Sequence, residues 1–191
     1  MTNLKNYILH LDNWIPKNIL DNYIKELSKN KTWKRHTYNN SLTLENVSKN
    51  GNKELDICFL NNFLNLEEFN KLIWKALEKY IVIEKIGGEE LGGWNGFSSI
   101  RFNRYKKNQI MSKHWDAITT LFEGEKKGVP TLSIVGALND DYEGGEFIMF
   151  DNYEIKFKPG DIIIFPSTFL YPHLVKPVKK GIRYSFVCWA Y

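Results

Sequence analysis

Cysteine is scarce in this sequence, with only Cys58 and Cys188 among 191 residues. Both stand in apolar strings, where a buried free thiol is the usual state of a cysteine. We therefore expect no disulfide framework and predict a reducing compartment. The corresponding expectation for location is the cytoplasm.

Long apolar runs are also missing from the chain. No stretch approaches the roughly 18 apolar residues of a membrane-spanning helix, and residues 1–14 lack the successive charged and apolar regions of a signal peptide. The sequence therefore predicts neither a membrane partner nor a secretory leader.

Charge of one sign is not concentrated anywhere. Lysine and arginine number 26 against 22 aspartates and glutamates, a formal net charge of +4, and the basic residues are scattered as pairs such as Lys106-Lys107. Proteins that bind nucleic acid usually collect such charge on one face or along one segment. We therefore expect no nucleic-acid partner, whereas an anionic small molecule would suit a mildly basic mouth.

Apolar residues are plentiful, at 43% of the chain, and 15% of the chain is aromatic. At this length the composition predicts one domain with a sizeable core. The hydrophobic pattern changes near residue 90, from helical periods to strand-like alternation. We therefore expect helical support and accessory strands over 1–91 and a β-rich core over 92–191.

Two helices are predicted in the first part. One begins at Pro16, which a first helical turn tolerates, and carries an apolar stripe at helical spacing. The other covers about 66–83, with Asn65 as its cap and Glu68 at the position of a capping-box partner. Both stripes are expected to pack against one face of a sheet.

Strands are predicted where alternating or continuous apolar runs end at turn signals. They cover residues 55–60, 98–105, 131–138, 146–150, 153–157, 161–165 and 182–190. Turns are expected at 142–145 and 158–161, where glycine and proline stand in turn-forming order. Many short strands at close spacing indicate a sandwich or a barrel.

Two histidines of the β-rich part stand beside informative neighbours. His114 and Asp116 lie two positions apart, so on an extended segment both side chains point to one side and Trp115 points away. His173 begins another extended stretch and offers a third ligand. Two imidazoles and one carboxylate leave coordination positions open, an arrangement that suits non-haem Fe(II) oxygenases.

Arg183 stands in an apolar strand downstream of His173. An arginine in such a strand is costly unless its charge is paired, and its planar guanidinium matches a carboxylate. The partner is either a buried aspartate or glutamate or the carboxylate of a bound co-substrate. The order of His-x-Asp, His and Arg along the chain favours the co-substrate.

In this order the motifs resemble a known family. The motifs are Arg104-Tyr105, His114-Trp115-Asp116, Tyr142-Glu143-Gly144-Gly145-Glu146, Lys158-Pro159-Gly160-Asp161, and the run from Pro172-His173 to Arg183-Tyr184-Ser185. They are similar to the catalytic domain of prolyl 4-hydroxylase-type 2-oxoglutarate- and Fe(II)-dependent dioxygenases. The resemblance covers residues 92–191 and implies a mainly β fold with supporting α structure. Its core would be a double-stranded β-helix (jelly-roll or cupin-like), flanked by N-terminal helices.

The resemblance also implies residue roles. His114, Asp116 and His173 match the three iron ligands, and Arg183 matches the residue that binds the distal carboxylate of 2-oxoglutarate. Other residues match positions near the co-substrate, namely Tyr105, Ser185 and Ser133, or near the substrate, namely Trp115 and Trp189. The implied cofactors are Fe(II), 2-oxoglutarate and O2, with ascorbate as a candidate reductant.

The implied reaction is hydroxylation of an unactivated C–H bond, and the predicted target is a prolyl residue in a protein or peptide. Two departures bear on this prediction. Ala137 stands where some relatives have a tyrosine beside the co-substrate arginine, and Pro130 where peptidyl-prolyl hydroxylases often carry an arginine. A free amino acid or another small metabolite is therefore the alternative substrate.

Two further alternatives remain open. A nucleic-acid demethylase of the same superfamily typically carries a second arginine at the position of Trp189. A non-catalytic β-sandwich binding module would leave His114 and His173 as ordinary polar residues, but it would not explain Arg183. Residues 117–129, with two glycines, are expected to form a flap over the substrate.

Overall fold

The computed structural model describes residues 3–39, 46–59, 66–86, 88, 95–116 and 129–191. Two α-helices occur, α1 (Lys17–Lys29) and α2 (Leu66–Glu78), together with 3-10 turns at Leu4–Tyr7 and Gly51–Lys53 and a π-helical turn at Lys79–Ile83. The strands are β1 (Leu9–Leu11), β2 (Lys34–Arg35), β3 (Tyr38–Asn39), β4 (Asn46–Val47), β5 (Asp56–Phe59), β6 (Arg101–Tyr105), β7 (Met111–His114), β8 (Leu132–Ala137), β9 (Glu143–Gly144), β10 (Phe147–Met149), β11 (Tyr153–Ile155), β12 (Ile162–Pro166), β13 (His173–Val175), β14 (Val178–Lys180) and β15 (Arg183–Ala190). Among the helices described, none is both long and apolar enough to cross a membrane.

Two antiparallel sheets build the β-rich part. The major sheet has seven strands in the order β1-β12-β8-β15-β6-β5-β2, and the minor sheet has four in the order β11-β10-β13-β7. One buried apolar cluster takes side chains from both sheets, for example Val135 and Val187 from the major sheet and Phe147 and Val175 from the minor sheet. The two sheets therefore pack face to face, as in a sandwich.

The two helices cover the other face of the major sheet. Their buried residues are Ile19, Leu20, Tyr23 and Leu27 in α1 and Phe69, Ile73, Ala76 and Leu77 in α2. The ring of Tyr23 lies 5.4 Å from that of Phe102 on β6, and the ring of Phe69 lies 4.9 Å from that of Phe186 on β15. The stripes read from the sequence thus form the contact with the sheet.

Strand β15 of the major sheet has one face towards the helices and the other towards the minor sheet. Tyr184, Phe186 and Cys188 belong to the cluster under the helices. Because side chains alternate along a strand, Arg183, Ser185 and their successors point the other way, into the space between the sheets. One strand thus contributes both core and site.

The turn predicted at 158–161 connects the N-terminal segment to the core. The Asp161 carboxylate accepts backbone N–H bonds from Asn13 and Lys158, both at 2.8 Å. Gly160 has φ +90°, and a Cβ there would lie 2.7 Å from the carbonyl oxygen of Ile15. Only glycine fits this backbone approach without strain.

Two other expectations need correction or stay open. The segment 142–145 was predicted as a turn, but Glu143–Gly144 form β9, which pairs with β14. The proposed helix cap Asn65, the residues next to the boundary near 92, and 117–128 of the expected flap lie outside the described residues. That boundary and that flap stay predictions.

Gly136→Ala tests the packing between β8 and β15. A Cβ at Gly136 would overlap the ring of Phe186, so the variant should lose about 1–3 kcal/mol of unfolding free energy, as overpacked cores do. Urea denaturation measures this loss. Gly96→Ala is the matched control, because the nearest atom to its Cβ among the described residues would be the Tyr191 hydroxyl oxygen, at an ordinary contact distance of 3.5 Å. Equal stability of the two variants would contradict the packing.

Candidate metal centre

The pairing of β7 with β13 brings two distant histidines together. His114 and His173 are direct partners in the register, and their ring centroids lie 4.3 Å apart. Asp116 follows β7 by two residues, with its Oδ1 3.4 Å from His114 Nε2 and its Oδ2 3.8 Å from His173 Nε2. One ligand atom from each residue lies within 4.8 Å of the others, so the three can converge on one ion.

Backbone carbonyls determine which ring nitrogens face the centre. His114 Nδ1 lies 2.8 Å from the carbonyl oxygen of Ser112, and His173 Nδ1 lies 3.0 Å from that of Tyr171. A carbonyl only accepts, so each Nδ1 carries the proton and donates it. In a neutral imidazole Nε2 is then an acceptor, and both Nε2 atoms face a carboxylate. Acceptors that face acceptors call for a cation between them, which is the tautomer pattern of metal-bound histidines.

The Asp116 carboxylate is held from the major sheet. Ser133 on β8 donates a hydrogen bond of 2.8 Å to its Oδ2, and Ser133 Oγ is 2.8 Å from Ser167 Oγ. Burial raises the pKa of Asp116, but the imidazoles of His173 and His114 and the Ser133 hydroxyl outweigh it and lower that pKa below its ordinary value. The carboxylate is therefore ionised at neutral pH and can act as an anionic ligand.

Aromatic side chains surround His173. The ring of Phe147 stacks on it at 5.3 Å, and the ring of Phe165 meets it edge-on, also at 5.3 Å. Burial and the neighbouring His114 lower the pKa of His173 to about 4. Its imidazole is thus neutral at pH 7, which is the form that binds a metal.

Arg183 lies in the same space and is only 2% exposed. Its Nη1 donates to Ser185 Oγ at 3.0 Å, and its guanidinium carbon lies 4.9 Å from the centre of the Tyr105 ring. Within the described part of the chain it forms no ion pair, and its buried Nε has no hydrogen-bond partner. A buried, unpaired guanidinium is costly, so this arginine is suited to an anion supplied from outside the chain.

Two glycines of the 142–145 segment make room beside Arg183. Gly145 has φ +66°, and a Cβ there would lie 3.0 Å from Arg183 Cδ. Gly144 has φ +76°, and a Cβ there would lie 2.5 Å from the carbonyl oxygen of Pro177. The Gly-Gly pair therefore allows β9 to approach β14 and the guanidinium together.

The three candidate metal ligands and Arg183 line one small cavity. Its walls also contain residues that the sequence analysis did not assign: Arg101, Asn103, Met111, Val135, Phe147, Val175 and Val187. Side chains alternate along a strand, so Arg101 and Asn103 share the face of Tyr105 on β6. That alternation is the sequence signal that could have identified them.

The remaining predicted residues lie at different places. Tyr105 and Ser185 line the cavity beside Arg183. Ser133 contacts Asp116 rather than the co-substrate end of the cavity. Trp189 lies opposite Ser133 in the register of β15 with β8. Trp115 is 55% exposed, so its side chain points away from the centre, as its position between two ligands predicts.

Residues 100–191 match the model of a family described as the 2OG-Fe(II) oxygenase superfamily. The match covers 92 of the 191 residues and includes all the motifs from His114 to Ser185, so this part of the chain is similar to that superfamily. The family uses Fe(II), 2-oxoglutarate and O2, and the donor set of two imidazoles and one carboxylate fits the iron. The resemblance drawn from the motifs is thereby confirmed.

Known proteins similar to the chain are hydroxylases by name. A PKHD-type hydroxylase of Xylella fastidiosa is 39% identical over 99 residues, which are 47% of this chain and 42% of the relative. The chain thus matches less than half the length of this relative.

Two solved structures extend the similarity to the whole fold. A Pseudomonas putida prolyl-4-hydroxylase superposes with TM-score 0.71 at 17% identity, covering 96% of this chain and 91% of that one. A viral collagen prolyl hydroxylase from Paramecium Bursaria Chlorella virus-1 gives 0.67 at 18% identity, covering 96% and 94%. Their fold is the double-stranded β-helix, so the fold class predicted from the resemblance is confirmed.

His173→Ala tests the centre as a metal site. Removal of one of three ligands should weaken Fe(II) binding by more than the roughly 10–100-fold that loss of a supporting hydrogen bond costs. Anaerobic equilibrium dialysis measures the affinity. Arg104→Ala, which removes a side chain that pairs with Asp56 outside the cavity, is the control and should bind iron like the wild type. Unchanged affinity in His173→Ala would contradict the assignment.

Proposed function

We propose that the protein is an Fe(II)- and 2-oxoglutarate-dependent dioxygenase that hydroxylates an unactivated C–H bond, with a prolyl residue of a protein or peptide as its predicted target. The observation that carries the proposal is Arg183. It is buried and unpaired in the described structure, and it lines the same cavity as His114, Asp116 and His173. A metal site and an anion site in one cavity are what a chelating dicarboxylate co-substrate requires.

Each residue has a task in this proposal. His114, Asp116 and His173 would hold Fe(II), which when bound supplies the oxidative chemistry. Arg183 would bind the distal carboxylate of 2-oxoglutarate through its guanidinium fork. Ser185, which accepts from Arg183 Nη1, and Tyr105, whose ring lies under the guanidinium, would keep that fork in one orientation.

The apolar walls exclude water from the reacting atoms. Phe147, Phe165 and Val135 are buried around the centre, and a dry cavity strengthens each electrostatic contact inside it. Ser133 would orient Asp116 through its hydrogen bond. The substrate enters a site whose polar groups are already oriented before it binds.

The names of similar proteins support the hydroxylase class, and those of the solved structures support the prolyl target. A small acid such as a free amino acid is the second candidate substrate, and it is favoured by a further arginine in the cavity. Ascorbate as a reductant stays a prediction. The predicted cytoplasmic location is supported by Cys58 and Cys188, which are both buried and form no disulfide in the described structure.

Conversion of 2-oxoglutarate to succinate under air with added Fe(II) tests the proposal without knowledge of the substrate. Wild type should show slow uncoupled turnover, and His173→Ala should show none. Arg183→Ala should require roughly 10–100-fold more 2-oxoglutarate, since a hydrogen bond to a charged group contributes about 1.5–3 kcal/mol.

Arg104→Ala is the matched control for the loss of an arginine. Arg104 lies on β6 but pairs with Asp56 at 2.9 Å, outside the cavity, so its variant should keep the wild-type 2-oxoglutarate requirement. A wild type that neither binds nor consumes 2-oxoglutarate would overturn the proposal. An unchanged requirement in Arg183→Ala would remove the anchoring role.

A further inference from the structure

Arg101 is the second arginine that lines the cavity, and the proposed function gives it no task. It stands four residues before Tyr105 on β6, so the two side chains share one face of the strand. Tyr105 is the register partner of Arg183, and Arg101 is the partner of Val187. At about 3.4 Å per residue, the backbone positions of the two arginines therefore lie roughly 14 Å apart along the sheet.

The guanidinium of Arg101 lies between an aromatic ring and an amide. Its carbon is 5.1 Å from the centre of the Trp189 ring, and its Nε donates to Asn103 Oδ1 at 3.2 Å. The attraction between a cation and an aromatic face holds the guanidinium against the ring. The N–H groups at the end of the guanidinium remain available for a planar anion. The buried Nε1 of Trp189 is a second donor at this place that has no acceptor among the described residues.

No carboxylate of the described chain pairs with Arg101. Arg104 on the same strand shows the contrast, since it points to the other face and meets Asp56 at 2.9 Å. Asp116 is the acidic residue of the described cavity lining, but its oxygens face the two imidazoles and Ser133. Burial lowers the pKa of Arg101, and Asp116 offsets only part of that effect.

The charges of the proposed site balance without Arg101. Two positive charges on Fe(II) and one on Arg183 balance one negative charge on Asp116 and two on 2-oxoglutarate. Among the charged side chains of the described lining, Arg101 alone then has no counter-charge. An uncompensated charge in a confined cavity favours an anion.

We propose that Arg101 binds a carboxylate of the substrate, so that the substrate is an acid whose carboxylate lies close to the C–H bond that is hydroxylated. The inference rests on the proposed function and names the substrate class. The carboxylate belongs either to a free amino acid or other small organic acid, or to the acidic end or side chain of a peptide.

Matched acids and amides test the proposal. The probes are the L-amino acids with their primary amides, L-proline and L-prolinamide among them, and short proline-containing peptides with a free or amidated C-terminus. Stimulation of 2-oxoglutarate consumption identifies the acid that is used. Its dissociation constant is then measured by calorimetry without O2, on protein loaded with Fe(II) and 2-oxoglutarate.

Acids should stimulate consumption and their amides should not. Arg101→Met should weaken binding of the acid by roughly 10–100-fold, the range for a lost charge-assisted pair, and should leave the affinity for 2-oxoglutarate unchanged. Arg101→Lys, which keeps the charge but loses the planar fork, should bind the acid more weakly than wild type and more tightly than Arg101→Met. Arg104→Met, the control on the opposite face of β6, should behave like wild type in both measurements.

The outcomes separate this inference from the proposed function. Wild type that neither binds nor consumes 2-oxoglutarate refutes the function itself. Wild type that consumes 2-oxoglutarate but shows no preference for acids over amides overturns only the role of Arg101, as does an Arg101→Met protein with unchanged affinity for the acid. If Arg101→Met weakens 2-oxoglutarate binding as much as Arg183→Ala does, Arg101 belongs to the co-substrate and the inference is wrong. Stimulation by free-acid peptides alone supports the carboxylate site and assigns a peptide as its source.

Discussion

The register of β7 against β13 is the constraint on which the site depends. It sets His114 directly opposite His173, and the two backbone carbonyls that hold Nδ1 turn both Nε2 atoms towards Asp116. A slip of one residue would send either imidazole to the other face of the minor sheet. Because Ser133 of the major sheet donates a hydrogen bond to Asp116, the geometry of the centre also depends on how the two sheets pack against each other. The helices contribute indirectly, by covering the outer face of the sheet that carries Arg183.

Charge is the second organising feature of the cavity. Two arginines line a small space with one carboxylate and two imidazoles, and neither arginine has an ion-pair partner in the described structure. A buried, unpaired guanidinium such as that of Arg183 costs several kcal/mol, which a fold tolerates where a ligand completes the pairing. The two arginines lie at different positions along the sheet, in keeping with the tasks that we propose for them, Arg183 for the co-substrate and Arg101 for the substrate.

Much of this site was readable from the sequence because its ligands obey local rules. His114 and Asp116 share a side by i, i+2 alternation, and Arg183 stood out as a charge in an apolar strand. The helical stripes around Tyr23 and Phe69 likewise form real contacts. Arg101 was not predicted, although alternation along β6 places its side chain on the same face as Tyr105. The contact between Ser133 and Asp116 joins residues 17 positions apart and depends on the sheets meeting. The two-residue strand β9 exists through its pairing with β14, which no local pattern encodes.

Coupling between metal and co-substrate tests the central claim most directly. The measurement is the affinity of the protein for 2-oxoglutarate without O2, in the absence and in the presence of saturating Fe(II), together with the affinity for Fe(II) with and without 2-oxoglutarate. If both bind in one cavity and the co-substrate chelates the metal, each must strengthen the other by the same factor, as linkage requires. If the affinity for 2-oxoglutarate is the same with and without Fe(II), the result would contradict a joint site formed by His114, Asp116, His173 and Arg183.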